Sequence, residues 1–145
     1  MLKTKPLLLR RKMKTDSQSL NQLTDIFLQR WGIKLNTYKD EFHRTDMWFE
    51  WNGTTKDVEV KRRRFNSSKY PTTIVNEDKF KELLKNKACL VVMFDDCWFV
   101  CKNVAKAYLK TTPMYARHTT DFGGNWEWAN KVELDLTKFT RYEYE

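Results

Sequence analysis

Two neighbouring stretches near the middle of the chain alternate apolar and polar side chains, which is the pattern of half-buried β-strands. Residues 47–51 form the first stretch and residues 54–64 the second, and the turn signal Asn52-Gly53 lies between them. Asn-Gly favours a two-residue turn, and such a turn fixes which residues of the two strands face each other. The pattern therefore predicts a β-hairpin with a defined register.

Polar side chains on one face of this hairpin carry the candidate chemistry. Val58 and Val60 point to one face of the second strand, so Glu59 and Lys61 point to the other. The two-residue turn places Asp46 directly opposite Glu59, with Cβ atoms roughly 5 Å apart. Hard divalent cations prefer carboxylate oxygens, and a nearby ammonium group can stabilise charge on a phosphoryl oxygen. The arrangement predicts a Mg²⁺ or Mn²⁺ site suited to phosphodiester cleavage.

At these residues the sequence resembles the PD-(D/E)XK nuclease superfamily, whose signature is an Asp at the start of one hairpin strand and (Asp/Glu)-x-Lys on the next. Asp46 and the segment Glu59-Val60-Lys61 occupy those places. Residues 69–73, Lys-Tyr-Pro-Thr-Thr, are similar to a segment of small phage-encoded endonuclease-like members. The chain departs from the family pattern at Thr45, where proline is common. The resemblance covers residues 19–104 and is weaker beyond.

The resemblance implies a restriction-endonuclease-like core and a role for each motif residue. Asp46 and Glu59 would hold the metal, and the main-chain carbonyl of Val60 would be a further metal ligand. Lys61 would position the attacking water or stabilise the transition state. In the family an acid from the first helix often completes the site, and Asp25 is the only acid within that predicted helix. The expected activity is that of a divalent-metal-dependent endonuclease with Asp46, Glu59 and Lys61 as catalytic residues.

Other interpretations of the same residues stay open. Surface strands commonly carry acids and lysines on a solvated face, although a carboxylate opposite another carboxylate is destabilising there. Glu50 and Asp57 share the face and would either add a ligand or meet water. The alternative function is a non-catalytic nucleic-acid-binding or phage virion-associated interaction protein that keeps the fold. Divalent-metal-dependent cleavage separates the two classes.

Helical periodicity marks two further segments. Apolar side chains recur at helical spacing from residue 17 to residue 31, and Gly32 ends the run. Asn76 has the chemistry of an N-cap and is followed by two acids, which favours a second helix of about ten residues. Both helices are predicted to be amphipathic.

Apolar runs after the second predicted helix indicate strands. Residues 88–94 are apolar enough for a buried strand, and Asp95-Asp96 would turn the chain into a partner strand at 97–103. The order of elements is helix, two or three strands, helix, strand, strand. This order predicts an α/β fold in a single domain at 17–145, with a central mixed β-sheet flanked by helices.

The C-terminal part of the chain has weaker signals. Residues 111–113 and 121–125 have the composition of loops, whereas residues 131–136 alternate as a strand. We expect a strand-rich C-terminal extension on the same sheet. Trp126 and Trp128 would either stack on unpaired bases or pack against a strand.

Positive charge is concentrated in a basic N-terminal arm, residues 1–16. The chain has a net charge of +8, and the first fourteen residues contribute six of these charges. Such an arm is typical of contact with nucleic-acid phosphates, an anionic surface or an acidic protein. We expect nucleic acid as the partner, with DNA favoured, while a homodimer or a phage protein bound through the arm stays open. The expected phosphate contacts are Arg10, Arg11, Lys12, Lys14, Arg62, Arg63, Arg64 and Lys69.

Length and composition fit a globular domain with its own core. The chain has 145 residues, of which 41% are hydrophobic. Its longest apolar runs fall short of the roughly 18 residues that span a membrane, and no secretory signal is evident. Cys89, Cys97 and Cys101 lack zinc-site spacing and are expected to be reduced thiols. The expected location is intracellular and without membrane contact: the host cytoplasm for a phage-encoded protein, with virion association open.

Overall fold

The computed structural model describes residues 17–38, 45–120 and 123–145, with the backbone alone described at 116–120 and 123–125. The predicted arm, with Arg10, Arg11, Lys12 and Lys14, lies outside the described residues. The helices are α1 (Ser17–Trp31) and α2 (Glu77–Asn86). The strands are β1 (Asn36–Thr37), β2 (Met47–Trp51), β3 (Thr54–Arg62), β4 (Thr72–Asn76), β5 (Cys89–Met93), β6 (Cys97–Cys101), β7 (Tyr108–Thr120), β8 (Gly123–Asp135) and β9 (Thr140–Glu143).

The two predicted helices are confirmed at nearly the predicted bounds. Helix α1 buries Leu23 and Phe27 and ends at Trp31, and the positive φ of 66° at the following Gly32 suits a residue without Cβ. Helix α2 begins directly after Asn76, as predicted. The Asn76 side chain makes no capping hydrogen bond and accepts one from Lys131 instead. Asn76 therefore connects the start of α2 to β8, which lies far along the chain.

The β2–β3 hairpin has the predicted register. Asn52 and Gly53 form its turn with positive φ values of 52° and 77°, which is the conformation that favours Asn-Gly in two-residue hairpins. Trp51 pairs with Thr54, and each earlier pair follows in step. A local turn signal thus sets the alignment of the whole hairpin.

A mixed six-stranded sheet forms the centre of the fold, in the order β1-β2-β3-β5-β6-β9. Strands β3 and β5 are parallel, and the other neighbours are antiparallel. Helix α1 packs on the face that carries Val58 and Val60. The prediction of an α/β fold with a mixed central sheet is therefore confirmed. The buried residues of this first core are Leu23, Phe27, Leu35, Met47, Val58, Val60, Val91, Met93 and Trp98.

A separate three-stranded sheet, in the order β4-β8-β7, joins α2 on the opposite side of the central sheet. Its strands contribute Val75, Val132 and Leu134 to a second core that also contains Leu90 and Val92 of β5. Leu90 and Val92 alternate with Val91 and Met93 along β5, so the two cores lie on opposite faces of the central sheet. The face that carries Glu59 and Lys61 is thus the one toward α2.

The prediction for the C-terminal region is wrong in two respects. Residues 111–113 were expected to be a loop but lie inside β7, which forms a long antiparallel hairpin with β8. Residues 123–125 begin β8, while 121–122 lie outside the described residues. The extension is strand-rich as expected, but only β9 joins the central sheet. Pro113 favoured a loop in the sequence, but proline is tolerated on an edge strand such as β7.

Among the described residues, no helix is long and apolar enough to cross a membrane. Cys89, Cys97 and Cys101 are free thiols, and burial raises the pKa of each.

Candidate active site

The start of the β2–β3 hairpin positions the two candidate carboxylates. The backbone N–H of Asp46 donates to the carbonyl of Val58 at 3.2 Å, and the Oδ2 of Asp46 accepts from the N–H of Val60 at 2.9 Å. These two bonds lie on either side of Glu59, so Asp46 lies across from Glu59 as the register predicted. Asp46 is 3% exposed and Glu59 is fully buried.

Two lysines hold the Glu59 carboxylate. The Nζ of Lys61 lies 3.4 Å from Oε2 of Glu59, and the Nζ of Lys79 in α2 lies 3.4 Å from Oε1. A buried carboxylate is strongly destabilising unless opposite charge or hydrogen bonds compensate it. The two ammonium groups supply that compensation from two different elements.

A third lysine reaches the site from the second sheet. Lys131 of β8 donates a hydrogen bond to the side chain of Asn76, next to the start of α2. Burial, reinforced by the positive charge of Lys61, lowers the pKa of Lys131. The site therefore combines two carboxylates with lysines from β3 and α2, and Lys131 of β8 adds a third cation beside the start of α2. Such a surplus of cations suits an anionic ligand.

The donor chemistry of the carboxylate pair fits a hard divalent cation. Mg²⁺ is usually bound through one or two carboxylates, with water and substrate phosphate oxygens completing its shell. Asp46 and Glu59 supply such a pair, and the main chain of Val60 lies beside Asp46. Within the described part of the chain, no group of three or more His, Cys, Asp or Glu side chains is arranged to hold a metal. A cation here would depend on non-acidic oxygens for its remaining ligands.

Two of the predicted phosphate-binding arginines, Arg62 and Arg63, contact protein groups. Arg62 forms an ion pair with Asp95 at 2.7 Å and donates to the carbonyl of Met93. Arg63 donates to the carbonyl of Ile74 at 2.8 Å, and burial lowers the pKa of its guanidinium. Both arginines thus fasten the end of β3 to neighbouring segments.

The other predicted phosphate contacts of the body lie on the surface. Arg64 is exposed, directly after the two arginines that bind protein groups. Lys69 is also exposed, and its Nζ lies 5.0 Å from the ring centre of Phe65 and 5.6 Å from that of Tyr70. Their positions are compatible with contact to a bound polyanion.

Three further acids do not join the carboxylate pair. Asp25 is exposed on α1 and lines a surface recess with Glu143 and Tyr144, on the opposite side of the central sheet from Glu59. Glu50 is exposed near the hairpin turn. Asp57 accepts a hydrogen bond from Tyr38, and burial and this carboxylate together raise the pKa of Tyr38 to about 12. The structure thus separates Asp25, the helix acid that the resemblance implied, from the carboxylate pair.

Sequence reasoning missed Lys79 and Lys131. Lys79 lies in the first turn of α2, where the helix dipole disfavours a cation, and this conflict was the one available signal. Lys131 lies in an ordinary alternating segment and gave no signal. No family model and no curated protein matches the chain.

Proposed function

We propose that this protein is a divalent-metal-dependent nuclease that hydrolyses nucleic-acid phosphodiester bonds, with DNA as the favoured substrate. The observation that carries the proposal is the burial of Asp46 and Glu59 side by side, with Lys61 and Lys79 at 3.4 Å from Glu59. A solvated strand face has no reason to enclose two like charges, because burying them opposes folding. A catalytic site gains from it, since enclosed charges act more strongly on a substrate.

Asp46 and Glu59 would hold Mg²⁺ or Mn²⁺, with the carbonyl of Val60 as a further oxygen ligand. When bound, the cation supplies Lewis-acid charge to the phosphoryl oxygens. The side chain of Lys61 is 28% exposed, so its ammonium reaches both Glu59 and the solvent where substrate would lie. From that position it can orient the attacking water or stabilise charge on the phosphoryl group. Lys79 is more enclosed, at 14%, and orients Glu59.

Substrate binding is assigned to cations that face away from the protein interior. Lys131 lies beside the start of α2, where it donates to Asn76, and burial together with the charge of Lys61 lowers its pKa. Arg64 and Lys69 are exposed on the same chain segment that follows β3. The basic arm would add further phosphate contacts at low salt. Arg62 and Arg63, in contrast, support the strand on which the site is built.

A non-catalytic nucleic-acid-binding protein with this fold is the second candidate. Its supporting observation is the ion pairing of Glu59, because two lysines already neutralise the carboxylate without a metal. A virion-associated protein that binds nucleic acid would need the cations but no metal ligand.

One incubation series separates the two candidates. Wild-type protein is mixed with plasmid, linear duplex DNA, single-stranded DNA and RNA, each with Mg²⁺, with Mn²⁺ and with a chelator. We expect cleavage of at least one DNA substrate with metal and none with chelator. A Glu59→Gln protein purified in the same way shows whether a contaminating nuclease is responsible. Binding of these nucleic acids without any metal-dependent cleavage would favour the non-catalytic candidate.

A further inference from the structure

Three large aromatic side chains are exposed together on the β7–β8 hairpin. Tyr115 is 54% exposed, Trp126 61% and Trp128 70%. Tyr115 pairs with Trp128 across the two strands, and their ring centres are 5.5 Å apart. The rings of Tyr115 and Trp126 stack with centres 5.7 Å apart. We call these three residues the aromatic platform.

The platform continues a face of β8 that is buried elsewhere. Trp126, Trp128, Val132 and Leu134 alternate onto one face of the strand. Val132 and Leu134 are 1% and 0% exposed in the second core, whereas the two tryptophans extend past it. Tryptophan is highly buried on average, and contiguous exposed apolar groups commonly mark interaction sites. The platform therefore has the character of a binding surface.

The same strand connects the platform to the candidate active site. Asn130 donates to Glu77 at 3.2 Å and Lys131 donates to Asn76, so both contact the start of α2, where Lys79 pairs with Glu59. At about 3.4 Å per residue, Trp128 lies about 10 Å along β8 from Lys131 and Trp126 about 17 Å. By alternation Lys131 points to the opposite face of β8 from the two tryptophans. A nucleic-acid strand a few nucleotides long that contacts both places would cross the edge of β8 at residues 126–130, which pair with β7 on one side and lie beyond the end of β4 on the other.

We propose that Tyr115, Trp126 and Trp128 stack on unpaired bases of a single-stranded segment whose backbone passes Lys131 toward Asp46 and Glu59. This assigns a single-stranded or partly unpaired substrate to the site and rests on the proposed nuclease function. Base faces are open to stacking only when the bases are unpaired, since a duplex covers them with neighbouring pairs. The charge is complementary: the adjacent site carries three lysines, and a polyanion suits a chain of net charge +8 better than a second copy does.

The test is equilibrium binding of labelled oligothymidylate and of a duplex of equal length, with chelator present so that nothing is cut. Trp126→Ala and Trp128→Ala should each weaken single-strand binding by about 5- to 150-fold, the range for loss of one stacked base. Trp128→Phe should restore most of the affinity. Duplex affinity should stay near wild type. Trp51→Ala is the matched control, because Trp51 is also 54% exposed but lies at the β2–β3 turn.

Three results would overturn the stacking proposal. The first is that the platform variants bind single strands as tightly as Trp51→Ala does, and the second is that they lose equal affinity for duplex and single strand. The third is a wild-type dimer that Trp128→Ala converts to monomer with unchanged DNA affinity. The last result would assign the surface to self-association. Cleavage assays separate this proposal from the nuclease proposal. Binding that depends on the tryptophans without any cleavage would support the stacking proposal and contradict the nuclease proposal. Cleavage together with binding that does not depend on the tryptophans would support the nuclease proposal and contradict stacking.

Discussion

The two ends of the β2–β3 hairpin carry similar side chains in opposite surroundings. Near the turn, Glu50 and Trp51 are exposed. At the other end, Asp46 and Glu59 are 3% and 0% exposed. Asp57 lies between the two ends, is half-buried and accepts a hydrogen bond from a tyrosine. Burial of acids thus rises steadily along one face of one hairpin.

The difference does not come from the hairpin itself. Both ends have the same alternation and the same regular pairing. The enclosed end lies near α2, which brings Lys79 to Glu59, and Lys131 of β8 donates to Asn76 at the start of that helix. The open end has no such neighbours among its described ion pairs. A sequence pattern of acids on a strand therefore becomes a candidate site only where other elements cover it with opposite charge.

The largest contrast between the two ends should appear in catalysis. Glu59→Gln and Asp46→Asn should each reduce cleavage by about 10²-fold or more, because each removes a charge that acts on the metal and substrate. Glu50→Gln, the same type of change at the open end, should cut like wild type. Rates on one DNA substrate at saturating Mg²⁺ are the measurement, with circular dichroism to confirm folding. Equal activity in all three variants would remove the distinction.

Metal-dependent stability should differ next most strongly. A cation that binds only the folded protein should stabilise it by about 2.7 kcal/mol at a hundred times its dissociation constant. Asp46→Asn keeps an oxygen that can accept from Val60 but loses the charge, so its stability with chelator should stay close to wild type while its response to Mg²⁺ or Mn²⁺ shrinks. Thermal melts with chelator and with metal test this. An Asp46→Asn protein that responds to metal like wild type would place the metal elsewhere.

The middle of the hairpin should show a moderate effect that depends on pH. Tyr38→Phe removes a hydrogen bond to Asp57 and should lower the free energy of unfolding by about 1.5 kcal/mol. The folded pKa of Tyr38 is about 12, above its ordinary value of 10.0, so its contribution is complete below pH 10 and is lost as the pH rises toward 12.

Urea denaturation below pH 10 and near pH 11 measures both parts of the Tyr38 effect. Wild type should lose stability between these conditions, and Tyr38→Phe should lose less of it. Burial also raises the pKa of Tyr144 to about 12, so some alkaline loss should persist in the variant. An identical alkaline loss in both proteins would show that Tyr38 does not titrate as its surroundings indicate.

The smallest effect is expected at the open end. Glu50→Gln should change the free energy of unfolding by less than about 0.5 kcal/mol, with or without metal, because Glu50 is exposed. The same denaturation and melting experiments apply. A loss well above this value would mean that the turn end is not an ordinary solvated surface.

Local signals were sufficient for much of the fold. Asn52-Gly53 determined the hairpin and its register, because both residues adopt positive φ readily. The helical spacing of apolar residues and Gly32 predicted α1, and Asn76 with the two acids that follow it predicted α2. Each of these features depends on residues that are close in sequence. They were therefore accessible without any tertiary information.

Elements whose stability depends on a partner strand were not predicted correctly. The segment at 111–113 has loop composition, but pairing with β8 makes it part of a long edge strand. Strand β4 and the second sheet were also not predicted, because a five-residue strand such as Thr72–Asn76 is stable only where a partner strand completes its hydrogen bonds. The partner of β4 is β8, far along the chain.

Some features of the candidate site likewise follow from local sequence, and others depend on tertiary packing. By itself the sequence determined that Asp46 lies across from Glu59 and that Lys61 shares their face, since hairpin register and strand alternation are local properties. Only the tertiary structure decided that these carboxylates are buried and that Lys79, 20 residues from Glu59, compensates them. Burial and ion pairing depend on which elements cover a face. That choice is made by packing of the whole chain, through contacts between residues distant in sequence.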